Sequence, residues 1–271
     1  MLRGLIFTAI YYLISALYVL TALPLLLLPW RQPMAWWIRH YTKTLNFALR
    51  WICGIRREIR GKDNLPDGPY LIAAKHASWG DGFMLYPEIE EIGFVTGDHL
   101  ERFPLVGGIL KKLGAIVINT CGGGEKKAAS LTAGLSRLKG TNRRILIHPE
   151  GHLAPAGYHF RYKPGIWHMQ QVLNVPIVPV ATNLNCFWQQ EEIQKTPGTA
   201  VLEFLDPIPP GGSKDETMAR LTQVIETRCA ELIAEATGQP SEPTRLLPDP
   251  NKGEIAAIPA HAEREKMVNV S

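Results

Sequence analysis

The sequence predicts an α/β protein: a layered mixed sheet with flanking helices, preceded by an N-terminal membrane helix and an interfacial helix. Three observations predict it. Residues 1–30 hold a long run without charge, residues 31–55 interleave aromatic and basic side chains, and residues 56–238 alternate strand-like with helix-like stretches. Strands alternating with helices argue for a sheet layered with helices.

With 46% hydrophobic and 20% charged residues over 271 positions, the chain can bury a sizeable core and is not a disordered protein. A mean hydropathy near zero excludes a polytopic membrane protein. The formal charge of +4 is mild but uneven. Arg31 to Lys62 carry eight basic residues against one acid, Glu58, so the positive charge is local. Cys53, Cys121, Cys186 and Cys229 show no paired spacing and read as reduced thiols in a cytosol-facing domain.

The first element is GLIFTAIYYLISALYVLTALPLLLLPW, Gly4 to Trp30, with no charged residue. About 20 helical residues cross a hydrocarbon core, so the run is long enough to insert. A signal peptide has a shorter apolar stretch and a small-residue cleavage site, whereas this run ends in Pro24, four leucines and Pro29. A buried core helix is the plain alternative; the length and the lack of polar periodicity disfavour it. In the second element Trp36, Trp37, Tyr41 and Trp51 stand among Arg and Lys. Aromatic rings favour the headgroup level, and anionic lipid attracts each nearby cation by ~1 kcal/mol. This stretch reads as an interfacial helix, and the positive-inside rule puts the following domain in the cytoplasm, at the inner membrane. Basic and aromatic residues also bind nucleic acid, but the preceding membrane segment argues against it.

From residue 56 the elements follow in order. IRREIRGKDNL alternates and ends in the turn Pro66–Pro69. YLIAAKH is an apolar run of the buried-strand kind, as are IGFVTG and GAIVIN, with a short helix FPLVGGILKKLG between them. EKKAASLTAGLSRLKG has helical spacing at Ala129, Leu131, Leu135 and Leu138. RRILIHPEG is a strand entering a loop, GIWHMQQVLN a helix, VPIVPVATN and TAVLEFLDPIPP strands. DETMARLTQVIETRCAELIAEATG is a closing amphipathic helix with a glycine stop. The tail, residues 239–271, is Pro-rich and polar and reads as disordered.

The chemistry concentrates in two strand-end loops. K-H-A-S-W-G-D spans residues 75 to 81. If the loop turns, Asp81 accepts a hydrogen bond from the Nδ1–H of His76 and fixes its tautomer, leaving Nε2 as general base for a hydroxyl. Alone the spacing is unspecific; a loop histidine with a capping aspartate fits it equally. The second loop is H-P-E-G-H, residues 148 to 152. His148, His152 and His159 raise a metal reading, but Pro149 and Gly151 preclude the helix that presents paired histidines to zinc. The chain has no G-x-S-x-G elbow, so an α/β-hydrolase is disfavoured, and Gly122–Gly124 lack the Lys-Ser/Thr of a P-loop and read as a flexible loop.

Taken together, the blocks KHASWGD, GAIVINT, HPEG and VPIVPVA, in that order, resemble the four motifs of the bacterial 1-acylglycerol-3-phosphate acyltransferase family across residues 5 to 235. YKPGIWHM also looks like that family's K-x-G helix start. Most members begin the first motif N-H-x-S-x-x-D. The resemblance implies a glycerolipid acyltransferase-like fold. It also implies direct attack of an acceptor hydroxyl on an acyl thioester, with no cofactor and with acyl carrier protein or coenzyme A as the donor's carrier. The partners it implies are membrane lipids and a lysolipid acceptor, by family default 1-acyl-sn-glycerol-3-phosphate in phospholipid synthesis. By the same resemblance His76 and Asp81 are catalytic, Glu150 and Gly151 place the acceptor, and Pro176 shapes the site. Three positions depart from the pattern by losing a cation: Gly97, Thr120 and Leu153, the last beside His152. Cations at these places are the ones expected to hold the acceptor phosphate, at ~1.5–3 kcal/mol per charged hydrogen bond. The departures therefore favour a lyso-aminolipid, such as lyso-ornithine lipid, as alternative acceptor. Lys111, Lys112, Arg143 and Arg144 are the candidates for compensation. Two other classes stay open: a hydrolase in which water replaces the acceptor, separable by product analysis, and an inactive membrane-docking homologue, against which the retention of His76 and Asp81 argues.

Overall fold

A computed structural model describes residues 1–98, 100, 105–118, 124–189 and 193–249. Two helices open the chain, α1 (Leu2–Leu26) and α2 (Gln32–Ala48). Seven strands form the main sheet: β1 (Ile55–Arg60), β2 (Tyr70–Ala74), β3 (Ile92–Gly97), β4 (Ile116–Ile118), β5 (Arg144–Ile147), β7 (Ile177–Thr182) and β8 (Gly198–Phe204). A parallel pair, β6 (Tyr158–Phe160) and β9 (Arg245–Leu247), stands apart from it. The helices between are α3 (Asp81–Leu85), α4 (Val106–Leu113), α5 (Gly124–Leu138), α6 (Gly165–Leu173) and α7 (Lys214–Thr237).

The strand order is β1-β8-β7-β2-β5-β3-β4, parallel throughout except for β7 against β8. β2 lies in the middle with β7 and β5 beside it, so its YLIAA run is buried on both faces, the reason the sequence there is continuously apolar. Successive side chains alternate between faces. Ile72 and Ala74 join one core layer with Phe7, Leu49, Tyr86 and Phe204. Leu71 and Ala73 join the other with Leu135 of α5, Met169 of α6, and Leu221 and Ile225 of α7. α7 starts on a full capping box: Ser213 accepts from the Glu216 N–H, and the Glu216 carboxylate accepts from the Ser213 N–H.

Three findings differ from the sequence reading. Gly124 begins α5 instead of lying in a flexible loop; Gly122, Gly123 and Cys121 are outside the described residues. The tail read as disordered from Gln239 supplies β9, because Leu247 finds a buried seat beside Ala154 and Phe160; residues 250–271 are outside the described residues. Several cations read as lipid-facing are instead used within the protein. Arg31 pairs with Glu91, Arg57 and Lys62 with Glu88, and Arg60 with Glu235, while Arg39 donates to the carbonyls of Pro87 and Ile89. Lys43, Arg50 and Arg56 remain exposed. Cys53, Cys186 and Cys229 are buried free thiols.

α1 does not stand off from the domain. Phe7 packs edge-on against Trp188 with ring centres 5.5 Å apart, and the Lys195 ammonium lies over both rings. Further along, Ala22 is buried with Ile109 and Leu113 of α4. At the start of the helix, a Cβ on Gly4 would meet the Ile193 carbonyl oxygen at 1.9 Å. Helix propensity favours Gly4→Ala by at most ~1 kcal/mol, less in a first turn, but a backbone carbonyl cannot step aside as a side-chain tip can. The clash wins. Gly4→Ala is expected to destabilise the protein by about 1–3 kcal/mol, read as a lowered unfolding midpoint in detergent; an unchanged or raised midpoint would show that α1 is not seated there.

Candidate active site

Because β2 and β5 are parallel neighbours, the loops after Ala74 and Ile147 emerge side by side at one end of the sheet. His76 is in the first loop. Its Nδ1 lies 3.0 Å from Asp81 Oδ2, and the same oxygen accepts from the N–H groups of Ala77 (2.8 Å) and Ser78 (3.0 Å). Asp81 is thus fixed at the start of α3 by the loop it helps to fold. The pair expected from the sequence is formed: the carboxylate is 2% exposed, while the His76 side chain is 27% exposed and reachable. Burial, with His152 and Lys75 adding to it, pushes His76 down to about 4. Burial pushes Asp81 up to about 6. Near neutral pH the imidazole is therefore uncharged and the carboxylate ionised. Asp81 then holds the proton on Nδ1, and Nε2 is free to accept one.

The second loop clamps the first. Glu150 is fully buried; its Oε1 accepts from the His76 N–H at 3.1 Å, and its Oε2 from the Phe160 N–H at 2.9 Å and from Lys75 Nζ at 3.2 Å. The Ala154 N–H donates to the His76 carbonyl at 2.7 Å. Both main-chain groups of His76 are held by residues 150 to 154. Glu150, expected to place the acceptor, thus faces the protein interior. Gly151 is beside it with φ +69°, and a Cβ there would lie 2.7 Å from Lys163 Nζ. His148 stacks on His76 with ring centres 4.1 Å apart and planes 15° from parallel, its Nδ1 3.0 Å from the Ala74 carbonyl.

Ligand atoms of His76, Asp81 and His148 lie within 4.8 Å of one another, so a metal has to be weighed. A ligating imidazole takes its metal in the ring plane, about 2 Å from the nitrogen. Two stacked, near-parallel rings have no common point at that range. The cluster suits a base and its neighbours better than an ion.

Not every expected residue reaches the site. Pro176 accepts from the Leu71 N–H at the far end of the sheet, roughly 16 Å from His76 at ~3.3 Å per strand residue. Arg143 and Arg144 are at that same end: Arg143 donates to the Ile92 and Leu113 carbonyls and Arg144 to that of Asp67. Lys112 donates to the Leu28 carbonyl, and Lys111 shares its last helical turn. None of these four cations compensates at the His76 end. Thr120 lies outside the described residues. The sequence reading missed Lys75, which stands where the first motif commonly has Asn, and that contrast was the available signal; His148 it weighed only as a metal ligand, not as a ring stacked on His76.

The acyltransferase family model matches residues 56–183, β1 to the end of β7. With the relatives that follow, this match makes the chain an acyltransferase. The 1-acyl-sn-glycerol-3-phosphate acyltransferase of Pseudomonas aeruginosa is 27% identical over 209 residues, covering 77% of this chain and 81% of that protein. The Saccharomyces cerevisiae enzyme of the same name is 24% identical over 243 residues, 88% of this chain and 78% of its own. The crystal structure of the 1-acyl-sn-glycerophosphate acyltransferase from Thermotoga maritima superposes with a TM-score of 0.70 at 20% identity, covering 86% of this chain and 97% of that one, which bears on the fold. The comparisons thus support a likeness to the 1-acylglycerol-3-phosphate acyltransferases among the glycerolipid acyltransferases.

The geometry carries a pH prediction. The productive form, neutral His76 beside ionised Asp81, is filled above about pH 6 and lost as pH falls through that value and Asp81 takes a proton. His76→Ala is expected to abolish turnover in a folded protein. Asp81→Asn should cost on the order of 10⁴, as in a comparable His–Asp pair, and the acid limb of its residual kcat should move from near 6 toward the lower value of His76. A limb that stays put in Asp81→Asn would overturn the assignment.

Proposed function

We propose that the protein is a membrane-bound O-acyltransferase that moves a fatty acyl chain from an acyl thioester to the free hydroxyl of a lysolipid. The observation that carries this reading is the reachable His76 imidazole, neutral and oriented by a buried carboxylate. Nε2 takes the acceptor's hydroxyl proton as that oxygen attacks the thioester carbonyl. The tetrahedral intermediate collapses by breaking the C–S bond, and the imidazolium returns its proton to the departing thiolate. A thioester is reactive enough to need no serine relay, and Asp81 steadies the transient positive charge. The donor is acyl carrier protein or coenzyme A, and the chemistry calls for no metal.

For the acceptor, the names of the relatives favour 1-acyl-sn-glycerol-3-phosphate. Leu153, where the family pattern has arginine, favours the second reading, a lyso-aminolipid. Lys163 bears on the choice: it is an exposed cation whose ammonium lies over Gly151, next to the loop that clamps His76. It is our candidate for the acceptor's anionic group.

The membrane surface in this reading is the outer side of the helix pair. α1 seats one side on the domain and turns Leu5, Ile6, Leu13, Leu17 and Leu20 outward, and Trp36, Phe47 and Trp51 are exposed on the stretch that follows. An exposed apolar area of that kind marks a lipid or protein contact. Lys43, Arg50 and Arg56 are exposed and offer charge to anionic headgroups, which supports reading the domain on the cytoplasmic side of the inner membrane.

Two experiments test the reading. After cell lysis the protein should stay in the membrane pellet through high-salt and carbonate washes, since apolar seating is not screened as surface charge is; release by salt alone would contradict it. Offered lysophosphatidic acid and a lyso-aminolipid together with a thioester, the protein should form diacyl product. Lys163→Ala should raise KM for the phosphate-bearing acceptor about tenfold, ~1.4 kcal/mol, and Leu153→Arg should shift preference toward it. Free fatty acid as the only product would instead make it a hydrolase.

A further inference from the structure

The lysine that opens the K-H-A-S-W-G-D block points inward. Lys75 is 2% exposed, and its ammonium donates to the Tyr158 carbonyl at 2.8 Å, to Glu226 Oε1 and Oε2 at 2.9 and 3.2 Å, and to Glu150 Oε2 at 3.2 Å. Glu226 comes from α7, 151 positions along the chain, and is itself buried, accepting a 2.7 Å hydrogen bond from the Tyr162 hydroxyl. His159 Nδ1 lies 3.9 Å from its other oxygen. Contacts therefore run from α7 through Glu226, Lys75 and Glu150 to the His76 N–H. Every member of that route except His76 is closed to substrate.

Ionisable groups are costly to bury unless each has a partner, and removing one partner is worse than removing both. Without the Lys75 cation, the carboxyls of Glu150 and Glu226 face each other in a dry interior. They then repel or take up protons, and either outcome weakens the hydrogen bond that Glu150 accepts from the His76 N–H. We propose that Lys75 is a positioning residue for acyl transfer: by setting one cation between Glu150 and Glu226 it ties the His76 main chain to the H-P-E-G loop and to α7. The inference rests on the acyl-transfer reading above.

The experiment measures kcat and KM for donor and acceptor in membranes carrying wild type, Lys75→Met, Glu226→Leu or the double variant, with melting temperature reporting the folded state. Wild-type turnover tests the acyl-transfer reading by itself, so its failure is separate from failure of the positioning role. Lys75→Met should lower kcat at least about tenfold and Glu226→Leu about fivefold, each with KM within about twofold, and the double should recover to within about fivefold of wild type, because Glu150 then faces no second carboxyl and keeps its two main-chain N–H donors. A merely structural role would lower the amount of folded enzyme without separating kcat from KM. Folded Lys75→Met or Glu226→Leu with kcat within about twofold of wild type, or losses that simply multiply in the double, would overturn the proposal. Should Lys75→Met fail to fold, Glu226→Leu decides by the same criterion.

Discussion

Two hydrogen bonds hold His76 in place, one to its N–H and one to its carbonyl. The His76 N–H donates to a buried carboxylate of Glu150, and the His76 carbonyl accepts from the Ala154 N–H. Both come from the neighbouring loop, and they exist only because β2 and β5 run parallel and in register, with Ala73 opposite Ile147. Burial pushes the Glu150 carboxyl up to about 7 while the Lys75 ammonium pulls it down, and the ionised form makes the carboxylate bond the stronger of the two. The Asp81 pairing, the stacking of His148 and the partial exposure of the imidazole all presuppose that this main chain does not move.

Such dependence explains why the third motif contains an acid at all. A carboxylate in the H-P-E-G loop looks from sequence like a group aimed at substrate. In the fold it completes two main-chain N–H groups, those of His76 and Phe160, that would otherwise be buried without acceptors. Gly151 follows with positive φ, letting the chain turn back at once while the Lys163 side chain lies over it.

Much of this was legible in the sequence. The continuous apolar run of β2, the amphipathic period of α7 and the five-residue spacing from His76 to Asp81 are local patterns, and local patterns survive folding. The departures have physical reasons. Three-residue strands such as β6 and β9 are too short to show a period. Pro176 belongs to a motif by position, yet the parallel register of β2 and β7 carries it to the opposite end of the sheet. The partner of Lys75 is 151 residues away and no spacing rule reaches it. Arg31, Arg39, Arg57 and Lys62 looked like a lipid-facing stripe because charge pattern alone does not reveal which cations the tertiary structure uses.

The seating of α1 bears on how the molecule can be cut or rebuilt. Phe7 fills a place in the same core layer as β2 and β8, and Trp188, its partner, packs against Gly80 of the catalytic loop. α1 is therefore a roof beam of the domain and not a loose appendage. A chain trimmed to begin at β1 does not become a soluble enzyme; it lays bare an apolar floor beside its own active site. By the same logic a foreign transmembrane segment grafted in place of α1 restores attachment to the bilayer but not the missing wall of the house.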